Sequence, residues 1–304
     1  MAISRAQLVK ELEPGLNALF GLEYKRYDNQ HAEIYTNESS DRAFEEEVML
    51  SGFANANVKV EGSGVNYDQS QETYTARYTH DTIALAFAIT EEAIEDNLYD
   101  RISSRYTKAL ARSMSNAKQV KAAAPLNNGL PTADNFDSGD GVSLFNTSHT
   151  TVSGTSVKNT LTTQADLNET SLEQALIDIA AFTDERGLRV AAKGVKMIIP
   201  SANQFSAERL LKSQGRTGTA DNDINAVASM GMVPQGYRVN NFLTDSDSWY
   251  IITDVPNGMK MFTRAPLTTA MEGDFDTGNV RYKARERYSF GVSDYRGIFG
   301  CEGA

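Results

Sequence analysis

The chain has 304 residues, 40% hydrophobic and 23% charged, which suits a folded protein of one large domain or two ordinary ones. Its formal net charge of −11 argues against nucleic-acid binding as the main task, and no run of about 18 apolar residues offers a membrane span. The single cysteine, Cys301, rules out an intrachain disulfide and fits a reducing compartment, while the acids and Pro14 near the N-terminus do not form the apolar core of a signal peptide.

Residues 4–20 read as a short amphipathic helix, broken or bent at Pro14-Gly15. Residues 21–50 are mixed, carry an acidic patch at Glu45, Glu46 and Glu47, and look like an arm with little core of its own. Residues 51–80 read as a ribbon turning at Glu61-Gly62-Ser63-Gly64. Its limbs alternate as strands, with Tyr74, Ala76 and Tyr78 on one face and Thr73, Thr75, Arg77 and Thr79 on the other. Val58, Val60 and Val65 are its only large aliphatic residues, and an isolated two-stranded ribbon is marginally stable, so the segment should lie on this chain's body or on a neighbour.

A long helix comes next. Thr90 is a natural N-cap and Pro125 cannot continue a helix. The roughly 34 positions between them predict a rod of about 50 Å. Ile94, Leu98, Ile102, Tyr106, Leu110, Met114 (or Ser113), Ala117 and Val120 recur at helical spacing as its apolar stripe. The charges are sorted by sign. Glu91, Glu92, Glu95, Asp96 and Asp100 come first, then Arg101, Arg105, Lys108, Arg112, Lys118 and Lys121. A helix dipole favours this order only within its terminal turns. Two readings stay open: a solvated face, or pairing of the acidic end of one copy with the basic part of another.

Residues 125–166 are rich in Gly, Asn, Ser, Thr and Asp and read as loop. Residues 168–186 read as a helix whose Leu172, Leu176, Ile179 and Phe182 share a face, with Gly187 as C-cap. Val195–Ile199 is a buried-type strand, Ser201 should cap a helix reaching about Lys212, and 215–223 is a flexible loop before a short helix near 224–230. Strands are expected near 237–240, 249–253, 259–264 and 267–272. In the last strand, Val280, Tyr282, Ala284, Glu286, Tyr288 and Phe290 form one face, and Arg281, Lys283, Arg285, Arg287 and Ser289 the other.

Catalytic chemistry is hard to find. His31, His80 and His149 lie far apart without metal-ligand spacing and read as surface or packing residues. No GxSxG is present, and Cys301 sits beside the chain end, an odd place for a nucleophile. Gly62-Ser63-Gly64 lacks the third glycine of a dinucleotide fingerprint. Asp221-Asn222-Asp223 lacks the glycine and distal glutamate of a calcium loop. No catalytic residue, metal or cofactor is expected. The basic rows of the helix and of the last strand carry no interleaved stacking aromatics, so neighbour carboxylates suit them better than nucleic acid. Glu286 on an apolar face needs a base from another strand or another subunit.

The segments YTARYTHDTIALAFAITEEAIEDNLYD, RYTKALARSMSNAKQVKAA, LLKSQGRTGTADNDINAV and EGDFDTGNVRYKARERYSFGVSDYRGIFG resemble tailed-bacteriophage major capsid proteins, most of all the Mu-type major head subunit group. The resemblance runs from about residue 40 to the end. It implies an α+β chain with the Hong Kong 97-type fold: an N-terminal arm over 1–50, an extended loop over 51–86, a peripheral domain with a spine helix over 87–124, an axial domain over 125–261, and peripheral return strands over 262–304. It also implies a subunit of an icosahedral phage head, built from pentamers and hexamers, located in the virion and assembled in the host cytoplasm. In such heads the extended loop lies across the adjacent subunit. The expected interface residues are Tyr74, Arg77, Tyr78, Glu91, Glu92, Glu95, Asp96, Arg101, Arg105, Lys108, Arg112, Arg281, Lys283, Arg285, Glu286 and Arg287. Implied partners are other copies of the chain, a separate scaffolding protein, a portal, a decoration protein and packaged double-stranded DNA held non-specifically, with no membrane. No motif marks Lys59 and Asn66 for a covalent crosslink. The other readings are the shell of a cellular encapsulin-type nanocompartment and a soluble hydrolase with a loop-borne site.

Overall fold

The computed structural model describes residues 5–90, 92, 99–133, 136–216, 223–274 and 278–304; the side chains of 5–12 and 99–102 are not described. Two four-stranded sheets organise it. The first runs β1 (Thr36–Ser39), β10 (Met259–Gly273), β11 (Val280–Val292), β4 (Asp81–Ile89) in spatial order. The period-two pattern of the last strand sets its burial: Val280, Tyr282, Ala284, Glu286 and Tyr288 point inward, while Arg281, Lys283 and Arg285 are exposed. The strands expected at 259–264 and 267–272 are one strand. Its pairing with β11 shifts register between Thr263 and Ala265 and again before Thr268, and this irregular stretch accommodates Pro266, which has no N–H to give the ladder.

Two helices pack on the inner face of this sheet: α1 (Arg5–Arg26) and α2 (Tyr99–Asn128). α1 passes through Pro14 unbroken and runs beyond residue 20. Its Leu16 and Phe20 are buried against Leu110, Ala111 and Met114 of α2 and against Tyr282, and that burial holds the helix across a lost backbone bond. α2 likewise continues past Pro125. Ala122, Ala123 and Leu126 are fully buried, Tyr35 donates to the Ala122 carbonyl at 2.6 Å, and Gly129 N–H reaches the Pro125 carbonyl. Tertiary packing thus overrides the proline. The predicted helix start, with Ile94 and Leu98, falls at residues outside the described set.

The apolar stripe of α2 is rotated from the expected one. Tyr106 and Val120 are 52% and 51% exposed, whereas Ser103, Thr107, Leu110, Ala111 and Met114 face the core. A strict four-residue spacing drifts around a helix of 3.6 residues per turn, and the buried arc includes small polar residues that a search for large apolar ones passes over.

The second sheet runs β12 (Ile298–Cys301), β9 (Trp249–Thr253), β7 (Gly194–Ile199), β8 (Tyr237–Val239). Helix α3 (Glu169–Ala180) covers its core side, capped by Asn168, which accepts from Ser171 N–H while Ser171 Oγ accepts from Asn168 N–H. α3 stops at Ala180, well short of 186. Asp184 Oδ1 instead accepts from the N–H groups of Arg186 and Leu188, closing a turn in which Gly187 sits at φ +84°. Ser201 opens a 3-10 turn before α4 (Gln204–Lys212), without a side-chain cap bond. Asn225 caps the short α5 (Ala226–Ser229). Residues 217–222, the core of the expected loop, lie outside the described set. Trp249, Tyr250, Met197, Ile199 and Phe299 form the centre of the main core, which also takes in Ile34 and Tyr35. Residues 21–50 therefore contribute core, contrary to expectation. Cys301 is fully buried, its thiol donating to Gln164 Oε1 at 3.0 Å.

The ribbon is rooted one step earlier than expected. β2 (Phe44–Leu50) pairs antiparallel with β3 (Glu72–Thr79), matching Phe44 with Thr79 and Leu50 with Glu72. The acidic patch thus lies in a strand. Residues 51–71 carry no strand, only a turn at Gly62 with φ +79°. Residues 81–89 form β4 and pair with β11 in the first sheet.

Candidate functional site

The ribbon's root is fastened to the body by its inward face. Tyr78 packs edge-on against Phe262 with ring centroids 4.8 Å apart, shares a short hydrogen bond with Ser293 Oγ, and lies so close to Gly291 that a Cβ there would meet its ring at 2.5 Å. Tyr74 lies 6.3 Å from Tyr295 between ring centroids. Arg186 bonds the Gln69 carbonyl and lies 3.8 Å from Asp68. Gly139, at φ +97°, comes so near the Thr75 carbonyl that a Cβ would stand 2.9 Å from it. The outward Arg77 lies over the Phe44 ring at 4.1 Å and pairs with Glu46 at 3.7 Å. Beyond this root the body gives no cover: Val58 and Tyr67 are 94% and 97% exposed, and Phe53, Val60 and Val65 are also exposed.

The basic residues of α2 divide into two groups. Arg105, Lys108 and Arg112 are exposed and make no ion pair among the described residues. Lys118 and Lys121 are engaged within the chain, with Glu286 and Asp81. Glu92 is exposed; Glu91, Glu95 and Asp96 lie outside the described residues, as does the side chain of Arg101. On β11, Arg281 pairs with Asp274, and Arg287 reaches the carbonyls of His80 and Ala43. Lys283 and Arg285 are exposed without an ion-pair partner among the described residues.

Glu286 differs from the expectation. It is buried inside this chain, and its base comes from a helix, neither from another strand nor from a second subunit: Lys118 Nζ donates to it at 3.2 Å. Burial pushes the Glu286 carboxyl above its ordinary 4.5, and Lys118 pulls it back. Lys118→Met is expected to cost about 2–3 kcal/mol near neutral pH, somewhat less than breaking a fully buried pair. A raised native pKa means that the folded state holds the proton more tightly, so stability falls as pH rises above the ordinary value. Lowering the pH toward 4.5 should therefore restore part of the loss, as read by urea titration; a pH-independent loss would contradict this account.

A buried polar junction escaped the sequence reading. Arg296 donates Nε–H to the Thr183 carbonyl at 2.8 Å and pairs with Asp294 at 3.2 Å and with Glu185. It also lies 4.5 Å over the Tyr295 ring, whose centroid is 3.9 Å from the parallel ring of His149. His149 is held between Asp140 and Asn159, and Asn159 Nδ2 donates to the carbonyls of Leu144, Tyr295 and Ile298. The members come from distant parts of the chain, so no local spacing announces them. All three histidines are buried packing residues. His31 is pushed down to about 4 by burial and then by Lys118, and so stays neutral. Among the described residues no cluster of three His, Cys, Asp or Glu could hold a metal, and no helix is long and apolar enough to cross a membrane.

The arrangement is one of fastened roots and uncovered surfaces, suited to contact between large bodies. A family model described as phage capsid protein matches residues 73–300. The chain belongs to the phage capsid protein family. No curated protein sequence matches it. Solved structures similar to this capsid protein share its fold at low identity. A virus-like particle from Pyrococcus furiosus is 11% identical with a TM-score of 0.53, covering 95% of this chain and 98% of its own. The procapsid of bacteriophage JBD30 is 14% identical with a TM-score of 0.54, covering 99% and 77%. The capsid of Myoviridae phage XM1 is 12% identical with a TM-score of 0.51, covering 89% of each. The fold is the α+β Hong Kong 97 type. This capsid protein is a structural, non-enzymatic subunit of a virion shell.

Proposed function

We propose that this capsid protein tiles an icosahedral phage head as pentamers and hexamers enclosing double-stranded DNA, with residues 51–71 lying across the neighbouring subunit. The observation that carries this reading is the uncovered distal ribbon, whose valines and Tyr67 stand in water unless a second copy receives them. On this reading the 1–50 arm, the 87–124 and 262–304 peripheral parts and the 125–261 axial part act as one tile. A separate scaffolding protein, a portal and a decoration protein complete the head, and the DNA is held without sequence preference. The family match favours a phage head over a nanocompartment shell. Negative-stain electron microscopy of the chain, alone and co-expressed with its neighbouring genes, tests the reading. Closed shells of uniform size are expected; small particles under both conditions would overturn it.

The sorted charges of α2 fit the same reading. Arg105, Lys108 and Arg112 would meet the acidic stretch from Glu91 to Asp100 of the next copy. Reversing these three bases to Glu is expected to impair assembly with little change in subunit melting, since exposed charges contribute at most about 1 kcal/mol each. Equal losses in melting and assembly would make the row an intramolecular feature.

A further inference from the structure

The ribbon leaves the body at a narrow hinge. On one side β3 passes into β4 through His80 alone, and on the other β1 passes into β2 through residues 40–43. The His80 ring is buried at this crossing and bridges its two sides. Its Nδ1 lies 2.9 Å from Ser289 Oγ on β11, and its Nε2 lies 2.9 Å from Ser40 Oγ in the linker. The donors and acceptors fix the tautomer. Ser40 spends its hydroxyl hydrogen on Glu45 Oε1 at 2.6 Å, because an ionised carboxylate only accepts, so Nε2 must bring its own hydrogen to Ser40. In a neutral ring Nδ1 is then the acceptor, and Ser289 donates to it. The hydrogen bonds thus run one way, from β11 through His80 and Ser40 to Glu45 in the first turn of the ribbon.

A proton added to the ring breaks this order. Nδ1 becomes a donor pointed at the donor Ser289, which must turn away. The new charge faces Arg287 of β11 and Arg264 of β10, with Glu45 of β2 opposing them. Arg287 is tied in place by the carbonyls of His80 and Ala43, and Asp81, the next residue, is engaged by Lys121. Burial, and then Arg287, hold the His80 ring below its ordinary 6.5. A loosened root therefore takes up the proton more readily than the closed one, so the hold is full above 6.5 and declines as pH falls below it. We propose that His80 is a proton-operated pin of the ribbon hinge: neutral, it ties the ribbon to the first sheet, and protonated, it lets the root swing. The contact of Tyr78 with Phe262 carries no group that gains a proton at mildly acidic pH, so this second fastening stays and the motion is a pivot, not a release. The inference goes beyond the shell-forming reading and holds for a single subunit.

The test is hydrogen exchange of the full chain as free subunits at about pH 7.5 and about pH 5.5, each amide expressed as protection relative to its intrinsic rate at the same pH. The hinge amides, 40–46 and 79–82, are expected to lose about threefold to tenfold in protection on acidification, while those of β9 in the second sheet hold steady. His80→Gln keeps a side-chain donor and acceptor but cannot titrate, and should make hinge protection independent of pH across this range. Ser289→Ala cuts the chain at its body end and should lower hinge protection already at neutral pH. Unchanged hinge protection in the unaltered chain would overturn the pin. The same acid loss in His80→Gln would overturn it too, by placing the responsible proton elsewhere. Full protection of Ser289→Ala at neutral pH would show that the chain of hydrogen bonds does not hold the root, and this arm stands even if His80→Gln fails to fold.

Discussion

Excising residues 53–69 and joining Gly52 to Ser70 through a short turn is expected to abolish closed shells and leave the body folded. The cut falls where the chain is already closed on itself: Ser51 N–H donates to the Gln71 carbonyl at 2.9 Å, and Gln71 N–H donates to Ser51 Oγ at 3.0 Å. The β2–β3 root, with Tyr74 and Tyr78 packed inward, stays whole. What the body loses is the contact of Arg186 with the Gln69 carbonyl and with Asp68, a partly exposed pair worth about 1 kcal/mol or less. Melting of the free subunit should therefore change little, while sedimentation should show no closed shells. Normal shells from the excised chain would end the proposal that this segment lies on a neighbour.

Arg296→Met should produce the largest loss of subunit stability, about 3–5 kcal/mol, because it leaves the carboxylates of Glu185 and Asp294 buried without their cation. The Thr183 carbonyl loses its donor in the same step. Burial already holds the Asp294 carboxyl above its ordinary 3.8, with Arg296 opposing. Without the guanidinium it should rise further. A native pKa above the unfolded one gives stability that declines as pH rises from the ordinary value, so the variant should be weakest at neutral pH and recover on acidification. Adding Glu185→Gln should return part of the loss. Guanidinium titrations at neutral and mildly acidic pH read all three effects; a loss below about 1 kcal/mol at neutral pH would mean the junction is not held by its ion pairs.

Much of the fold was legible because periodicity is local. The alternation of Val280 to Phe290 and of Tyr74, Ala76 and Tyr78 follows from the pleat of a strand, and the long helix from its apolar recurrence. What escaped depends on partners remote in sequence. Nothing near residue 51 states that 44–50, rather than the other limb, pairs with 72–79. Pro14 and Pro125 are helix breakers by local rules and are overruled by the burial of Phe20 and Leu126. The candidate surfaces were half legible for the same reason. Arg105, Lys108 and Arg112 read as one row and stand exposed together. Lys118 follows that row in the run of bases, but its partner Glu286 is 168 positions away, and the pair became visible only in three dimensions. The Arg296 junction draws on the stretches 140–159, 183–185 and 294–298 and left no sequence trace.

Cys301, the chain's single thiol, is buried, and burial also raises its pKa and so suppresses the thiolate. A cysteine introduced anywhere on the surface would be the one reactive thiol per subunit. Maleimide dyes or spin labels placed at the loop tip would then report distances between subunits in an assembled shell without first removing a native cysteine.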